Sequence, residues 1–370
     1  MHFPKSSPHS HPNATHKKST LRCGAICLVG YIYYEIILET HQLEITLIID
    51  GYVHQTQWSI IMSKSLINQS YLTNHIDKLV RDILSSSVTF DDIGSRLNEL
   101  YLPFIESCDD YLCYSKPIQA FVSGTKGIIG DSYPCNVIWS QDNIQRLIDS
   151  ISCYRQDVID EDNAWQYQEK QNRNALESYF RCLLNHYSKL LVVRVDLMYT
   201  EKDRDLVTID MFNNHMKKLR ELISNGKTCF KCLQGYAWAL EQGGKWGGFH
   251  CHLLLIYDGA RREGDCALAI EVGKKWIAIT EGLGTYYNCN SNKHKKKYQV
   301  KDEFGNDRLG VGMIYRNNLR QIENAVYSAL YLTKLDKKGQ HLKVWLPNMR
   351  TFGHGNYRTK KRRGLPPIAN

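Results

Sequence analysis

Read for the spacing of apolar positions, the chain changes character twice. Over residues 21–62, β-branched and aromatic residues partly alternate with polar ones, as in Leu43-Glu44-Ile45-Thr46-Leu47, and Asp50-Gly51 supplies a turn signal. A small β-hairpin or meander is expected there. Over 65–188 the spacing becomes helical: Leu72, Ile76, Leu79, Val80 and Ile83 share one face, with Pro103, Pro117 and Pro134 expected to interrupt the helices. From Lys189 onward the order reads strand, helix, strand, strand, helix. Strands are expected at 190–198, 234–241 and 249–257, and helices at 211–224, 266–281 and 318–335.

This pattern predicts an α+β protein: an antiparallel sheet with helices in the C-terminal half, in a ferredoxin-like arrangement, preceded by the β-hairpin and a mainly helical region. Residues 1–20 are rich in His, Pro, Ser and Lys, too polar for a core, and read as a disordered tail. The remainder divides into 21–188, a region of unknown role; 189–357, the unit that carries the chemistry; and 358–370, a basic tail. A fragment starting near residue 186 is therefore expected to keep some of that chemistry.

Charge sharpens the contrast between the halves. The whole chain carries +9, yet from His186 onward 32 Lys and Arg face 17 Asp and Glu, against 15 and 21 before it. The second half is thus the candidate for binding a polyanion. Its basic runs are Lys293-His294-Lys295-Lys296-Lys297 and Lys360-Lys361-Arg362-Arg363. Twelve cysteines without regular spacing exclude a small secreted disulfide scaffold and fit a reducing cytoplasm. The one CxxC pair, Cys229 and Cys232, has no second pair and reads as packing. The apolar stretch 23–38 contains Glu35 and three tyrosines and is shorter than the roughly 20 residues a membrane span needs, so no membrane role is expected.

Two constellations carry candidate chemistry. His250-Cys251-His252 places two imidazoles at i and i+2 in an apolar run, on one face of a strand and about 6.6 Å apart along it. Glu241 ends the preceding strand, and the glycine-rich turn 242–248 brings it back beside them. Two imidazoles and a carboxylate suit a divalent ion, Mg²⁺ or Mn²⁺ foremost, with Zn²⁺ also compatible. The second constellation is Tyr327-Ser328-Ala329-Leu330-Tyr331-Leu332-Thr333-Lys334, where helical spacing puts Tyr327, Tyr331 and Lys334 along one face. A phenol with a free pKa near 10 needs a neighbouring cation or a polarised phosphate before it attacks. Each constellation alone also describes ordinary packing: hydrogen-bonded strand histidines, and tyrosines resting on a sheet.

Together, HxH after an acidic residue and YxxxYxxK on a later helix resemble the HUH endonuclease superfamily, most closely the inovirus (filamentous-phage gene-two-type) rolling-circle replication initiators. The resemblance spans about 189–357, including Val193-Arg194-Val195-Asp196 and Arg350-Thr351-Phe352-Gly353-His354-Gly355. It implies metal ligation by His250 and His252 with Glu241 as third ligand, and a nucleophile at Tyr331 or Tyr327. It further implies nicking of single-stranded origin DNA in a bacterial host cytoplasm, alongside host replication proteins. Cys251 stands where a bulky apolar residue is usual, and Leu330 where many relatives have lysine, which leaves Lys334 to stabilise charge. The alternative expectation is a non-catalytic DNA-binding regulator on the same fold.

Overall fold

The computed structural model describes residues 20–27, 30–39, 42–49, 52–55, 68–130, 132–244, 247–298, 305, 308–334 and 339–357. The tail expected at 1–20 lies outside these residues except for Thr20, as do 358–370 with Lys360, Lys361, Arg362 and Arg363. The chain forms two compact units, Met1–Leu66 and Ile67–Asn370, so packing divides it far upstream of the division expected after Ser188.

In the first unit, β1 (Thr20–Cys27), β2 (Gly30–Glu39), β3 (Gln42–Ile49) and β4 (Tyr52–Gln55) form an antiparallel meander in chain order. Residues 23–27 and 30–38 of the apolar stretch are strand. Among the described residues, no helix is long and apolar enough to cross a membrane.

The second unit opens with α1 (Gln69–Leu84), α2 (Phe90–Ser107), β5 (Cys113–Tyr114), α3 (Lys116–Ile129), α4 (Gln141–Cys153) and the 32-residue α5 (Arg155–His186). All five apolar positions expected on one face of α1 are buried. Of the three prolines expected to interrupt the helices, two do and one does not. Pro117 sits in the first turn of α3 and Pro134 opens a short 3₁₀ turn, where no amide donor is missed, but Pro103 lies inside α2. There Leu100, Tyr101 and Phe104 are buried on both sides of it, and their packing offsets the lost hydrogen bond.

The rest of the unit is built from β6 (Lys189–Tyr199), α6 (Ile209–Asn225), β7 (Leu233–Gln242), β8 (Phe249–Asp258), α7 (Asp265–Ile279), β9 (Gly284–Asn288), α8 (Asn292–Tyr298), β10 (Gly312–Tyr315), α9 (Leu319–Ala329), β11 (Val344–Trp345) and β12 (Phe352–His354). Six strands form one antiparallel sheet in the order β10-β6-β8-β7-β12, with β9 pairing the same edge of β6 beyond β10. β11 pairs with β5, which ties the C-terminal segment to the helical region.

Strand alternation sends successive side chains to opposite faces. On one face Val193, Val195, Leu197, Trp238, Leu240, Cys251, Leu253 and Leu255 pack with α6 and α7, and this core continues into α1–α4. On the other, Leu190, Val192, Ala237, Ala239, Leu254 and Ile256 meet Leu176, Tyr179, Phe180, Leu183 and Leu184 of α5 and Ile322, Ala325 and Val326 of α9. The sheet is thus covered on both faces, and α5 forms part of its core.

Candidate functional site

The second face carries the site because its alternating positions turn polar toward one end. Along β6 the row runs Leu190, Val192, Arg194, Asp196; along β7, Ala237, Ala239, Glu241; along β8, Ile256, Leu254, His252, His250. Antiparallel register brings the polar ends together, pairing Asp196 and Ala239 with His252, and Glu241 with His250. All five polar side chains are buried. The turn after Glu241 closes through the bond from Gly243 N to Gly248 O at 3.0 Å. Gly247 adopts φ +77° there, a conformation that favours glycine, and a side chain at that position would have to displace the Arg204 guanidinium.

Among the described residues, Glu241, His250 and His252 form the one group of His, Cys, Asp or Glu side chains arranged to hold a metal ion, with candidate ligand atoms all within 4.8 Å of one another. Nε2 of His252 lies 3.2 Å and Nε2 of His250 3.4 Å from the same Glu241 Oε2. Each Nδ1 faces an acceptor instead: Asp196 Oδ1 at 2.6 Å for His252 and the Gly248 carbonyl at 3.2 Å for His250. In the neutral rings the protons therefore sit on Nδ1, and both Nε2 lone pairs point toward the carboxylate, the orientation a metal requires. Burial opposes ionisation of Asp196, but the Arg194 guanidinium and His252 outweigh it and hold that carboxyl well below the usual range. Burial likewise works against protonation of His252, and the Asp196 and Glu241 carboxylates override it, so its pKa is raised. Cys251 lies in the core on the opposite face of the sheet, away from the cluster, as its position between the histidines dictates.

The tyrosines depart from the single helical face expected of them. α9 ends at Ala329 and the chain tightens into a 3₁₀ turn over Leu330–Thr333, leaving Lys334 extended. Leu330 and Leu332 are both buried. The turn lays the Tyr331 ring edge-on to His252, centroids 5.5 Å apart, with the Arg194 guanidinium 4.1 Å over its face. Burial raises the Tyr331 pKa, while Arg194 opposes the rise. Tyr331 is 38% exposed and Tyr327, on α9, is 71% exposed.

Tyr327, Tyr331 and Lys334 nonetheless line one cavity of about 300 Å³, together with Arg173, Arg194, His294 and Arg308. Burial and the positive charge of Arg194 lower the His294 pKa to about 4, which keeps that ring neutral. Of the basic run on α8, Lys293, Lys296 and Lys297 are exposed, whereas Lys295 is tied to Asp265 at 2.6 Å. Sequence reasoning did not assign Arg194 and Asp196 a role. Their signal was legible all the same: two charges at i and i+2 in an otherwise apolar strand. Arg173, His294 and Arg308 carried no such signal, since only the tertiary fold converges them.

Sheet and cluster together define an α+β protein with a buried two-histidine, one-carboxylate centre beneath a tyrosine. The family model of the YagK/YfjJ C-terminal domain matches residues 161–355, and the chain belongs to that family. The match begins inside α5 and takes in the whole cluster and Tyr331. No curated protein and no solved structure matches the chain.

Proposed function

We propose that this protein is a metal-dependent tyrosine endonuclease of the HUH type, which nicks single-stranded origin DNA to initiate rolling-circle replication. The observation that carries the reading is the placement of Tyr331 against His252, one ring from the point where both Nε2 atoms and Glu241 converge. The strand order β9-β6-β8-β7, with α6 and α7 as crossovers, supports the ferredoxin-like arrangement of such enzymes. His250, His252 and Glu241 would hold a divalent ion, which would supply a Lewis acid for the scissile phosphate. Tyr331 Oη attacks phosphorus and the P–O3′ bond breaks. The phenolic proton passes to the departing O3′ through solvent, leaving a 5′-phosphotyrosyl link and a free 3′-OH. Arg194 holds the ring, Asp196 holds His252, and Lys334 and Arg173 line the cavity beside the attacking hydroxyl. Tyr327, on the same cavity, is placed to accept the strand in a second transesterification.

The test is incubation of the full chain with Mn²⁺ and a supercoiled plasmid bearing its origin, followed by a search for a protease-sensitive protein–DNA adduct. His250→Ala and His252→Ala are expected to abolish the adduct while retaining most DNA binding. Tyr331→Phe should abolish it too, and Tyr327→Phe should permit nicking but impair strand closure. Undiminished adduct in the double phenylalanine variant sinks the mechanism. DNA binding with no nicking by the wild type favours a non-catalytic regulator.

A further inference from the structure

A second cavity, of about 140 Å³, opens on the Glu241 side of the cluster and shares Lys334 with the first. Its chemistry is different. Among the described residues, three guanidinium groups line the first cavity, whereas Lys334 is the one Lys or Arg side chain lining the second, among rings, carboxamides, aliphatic side chains and the carboxylates of Glu169 and Glu241. Trp165, Gln168, Glu169 and Asn172 of α5 all line it, and their spacing of three, four and seven forms one helix stripe. The stripe is half-buried, with Gln168 exposed, and it is polar apart from Trp165, which stacks on His341 with centroids 4.6 Å apart and planes 28° from parallel. Gln340 and Trp345 complete the wall opposite.

Rings supply a stacking face that any base can use, and carboxamides supply the paired donor and acceptor that reads a base edge. We infer that this cavity is a nucleobase subsite: an unpaired base near the scissile phosphate seats against the Trp165–His341 pair and is read by Gln168, Asn172 and Gln340. The inference rests on the nuclease reading for the nature of the strand, though not on catalysis. It assigns α5, which contributes no residue to the metal cluster, the work of selecting the strand.

The experiment uses the full chain in EDTA, so that nothing is cut. Fluorescence anisotropy measures its affinity for dA, dT and dC homopolymers and for an abasic sugar-phosphate strand of equal length. Wild type is expected to bind at least one homopolymer about fivefold or more tightly than the abasic strand. Trp165→Ala should erase that difference while leaving affinity for the abasic strand unchanged, and Trp165→Phe should retain most of it. Gln168→Ala, at an exposed position that folding does not depend on, should narrow the spread among homopolymers. Equal binding of base-bearing and abasic strands by wild type overturns the inference, as does full base discrimination in Trp165→Ala. A chain that never forms an adduct yet loses base discrimination with Trp165→Ala refutes the nuclease and upholds the subsite. An adduct formed by wild type, with discrimination intact in Trp165→Ala, does the reverse.

Discussion

Arg194 joins the two constellations that the sequence presents separately. Its guanidinium lies over Tyr331 and also reaches Asp196 at 3.3 Å, while Asp196 anchors His252. A cation over a ring that stays partly exposed contributes about 1 kcal/mol, so the contact holds the ring more than it stabilises the fold. Removing it frees Tyr331, which is more than a third exposed, to leave its position beside His252. Arg194→Met is therefore expected to slow adduct formation by about 10- to 100-fold, with a smaller loss of Mn²⁺ affinity by titration calorimetry, since Asp196, which orients His252, loses its guanidinium partner. Arg194→Lys should recover little, because a point charge cannot stack on the ring and bond the carboxylate together. An adduct rate within threefold of wild type in Arg194→Met would show that Tyr331 is positioned by the 3₁₀ turn alone.

The elements explain why the folding unit around the cluster is larger than the segment that carries its motifs. β6, β7, β8, α6 and α7 follow their expected ranges closely, because each has a clean period or an unbroken apolar run and a recognisable end. Gly226, for instance, stops α6 in the left-handed region. α5 was harder to read: it is polar over most of its length, and the apolar positions that dock on the sheet are confined to its last third. Cutting near residue 186 removes Leu176, Tyr179, Phe180, Leu183 and Leu184, all buried against the site's own face of the sheet. At roughly 1.5–3 kcal/mol each, that loss is on the order of 10 kcal/mol, as large as a typical domain's net stability of about 5–15 kcal/mol. The turn beyond Glu241 also leans on α1, since the Gln242 amide donates to Thr73 Oγ1 at 2.7 Å and accepts from Lys343 N at 2.7 Å. A fragment of residues 67–357 should therefore unfold cooperatively on heating, while one of 186–357 should show no transition by circular dichroism. A cooperative melt in the shorter fragment would show that the sheet and α9 suffice, restoring the smaller unit that the motifs alone suggested.

Across the whole molecule, the charge asymmetry read from composition acquires a location only in the fold. The histidine pair and its acidic partner were legible because strand register is a short-range rule, whereas the three arginines of the larger cavity come from α5, β6 and the segment before β10. The lysines of α8 stand close to this system, for His294 lines the cavity while Lys293, Lys296 and Lys297 on the same helix are exposed. A single strand entering the cavity would run past them, each of its phosphates that a lysine neutralises releasing counterions. For single strands the slope of log affinity against log salt is about −0.7 per contact, so replacing the three exposed lysines by alanine should lessen the wild-type slope by about 2. Lys295→Ala is the control within the same helix: its ammonium is committed to Asp265, and the slope should stay near the wild-type value. Because the measurement is a slope rather than an affinity, general weakening of the fold does not imitate it. A triple variant that binds less tightly with an unaltered slope would place the strand elsewhere on the basic half, and α8 would then be a solvated face.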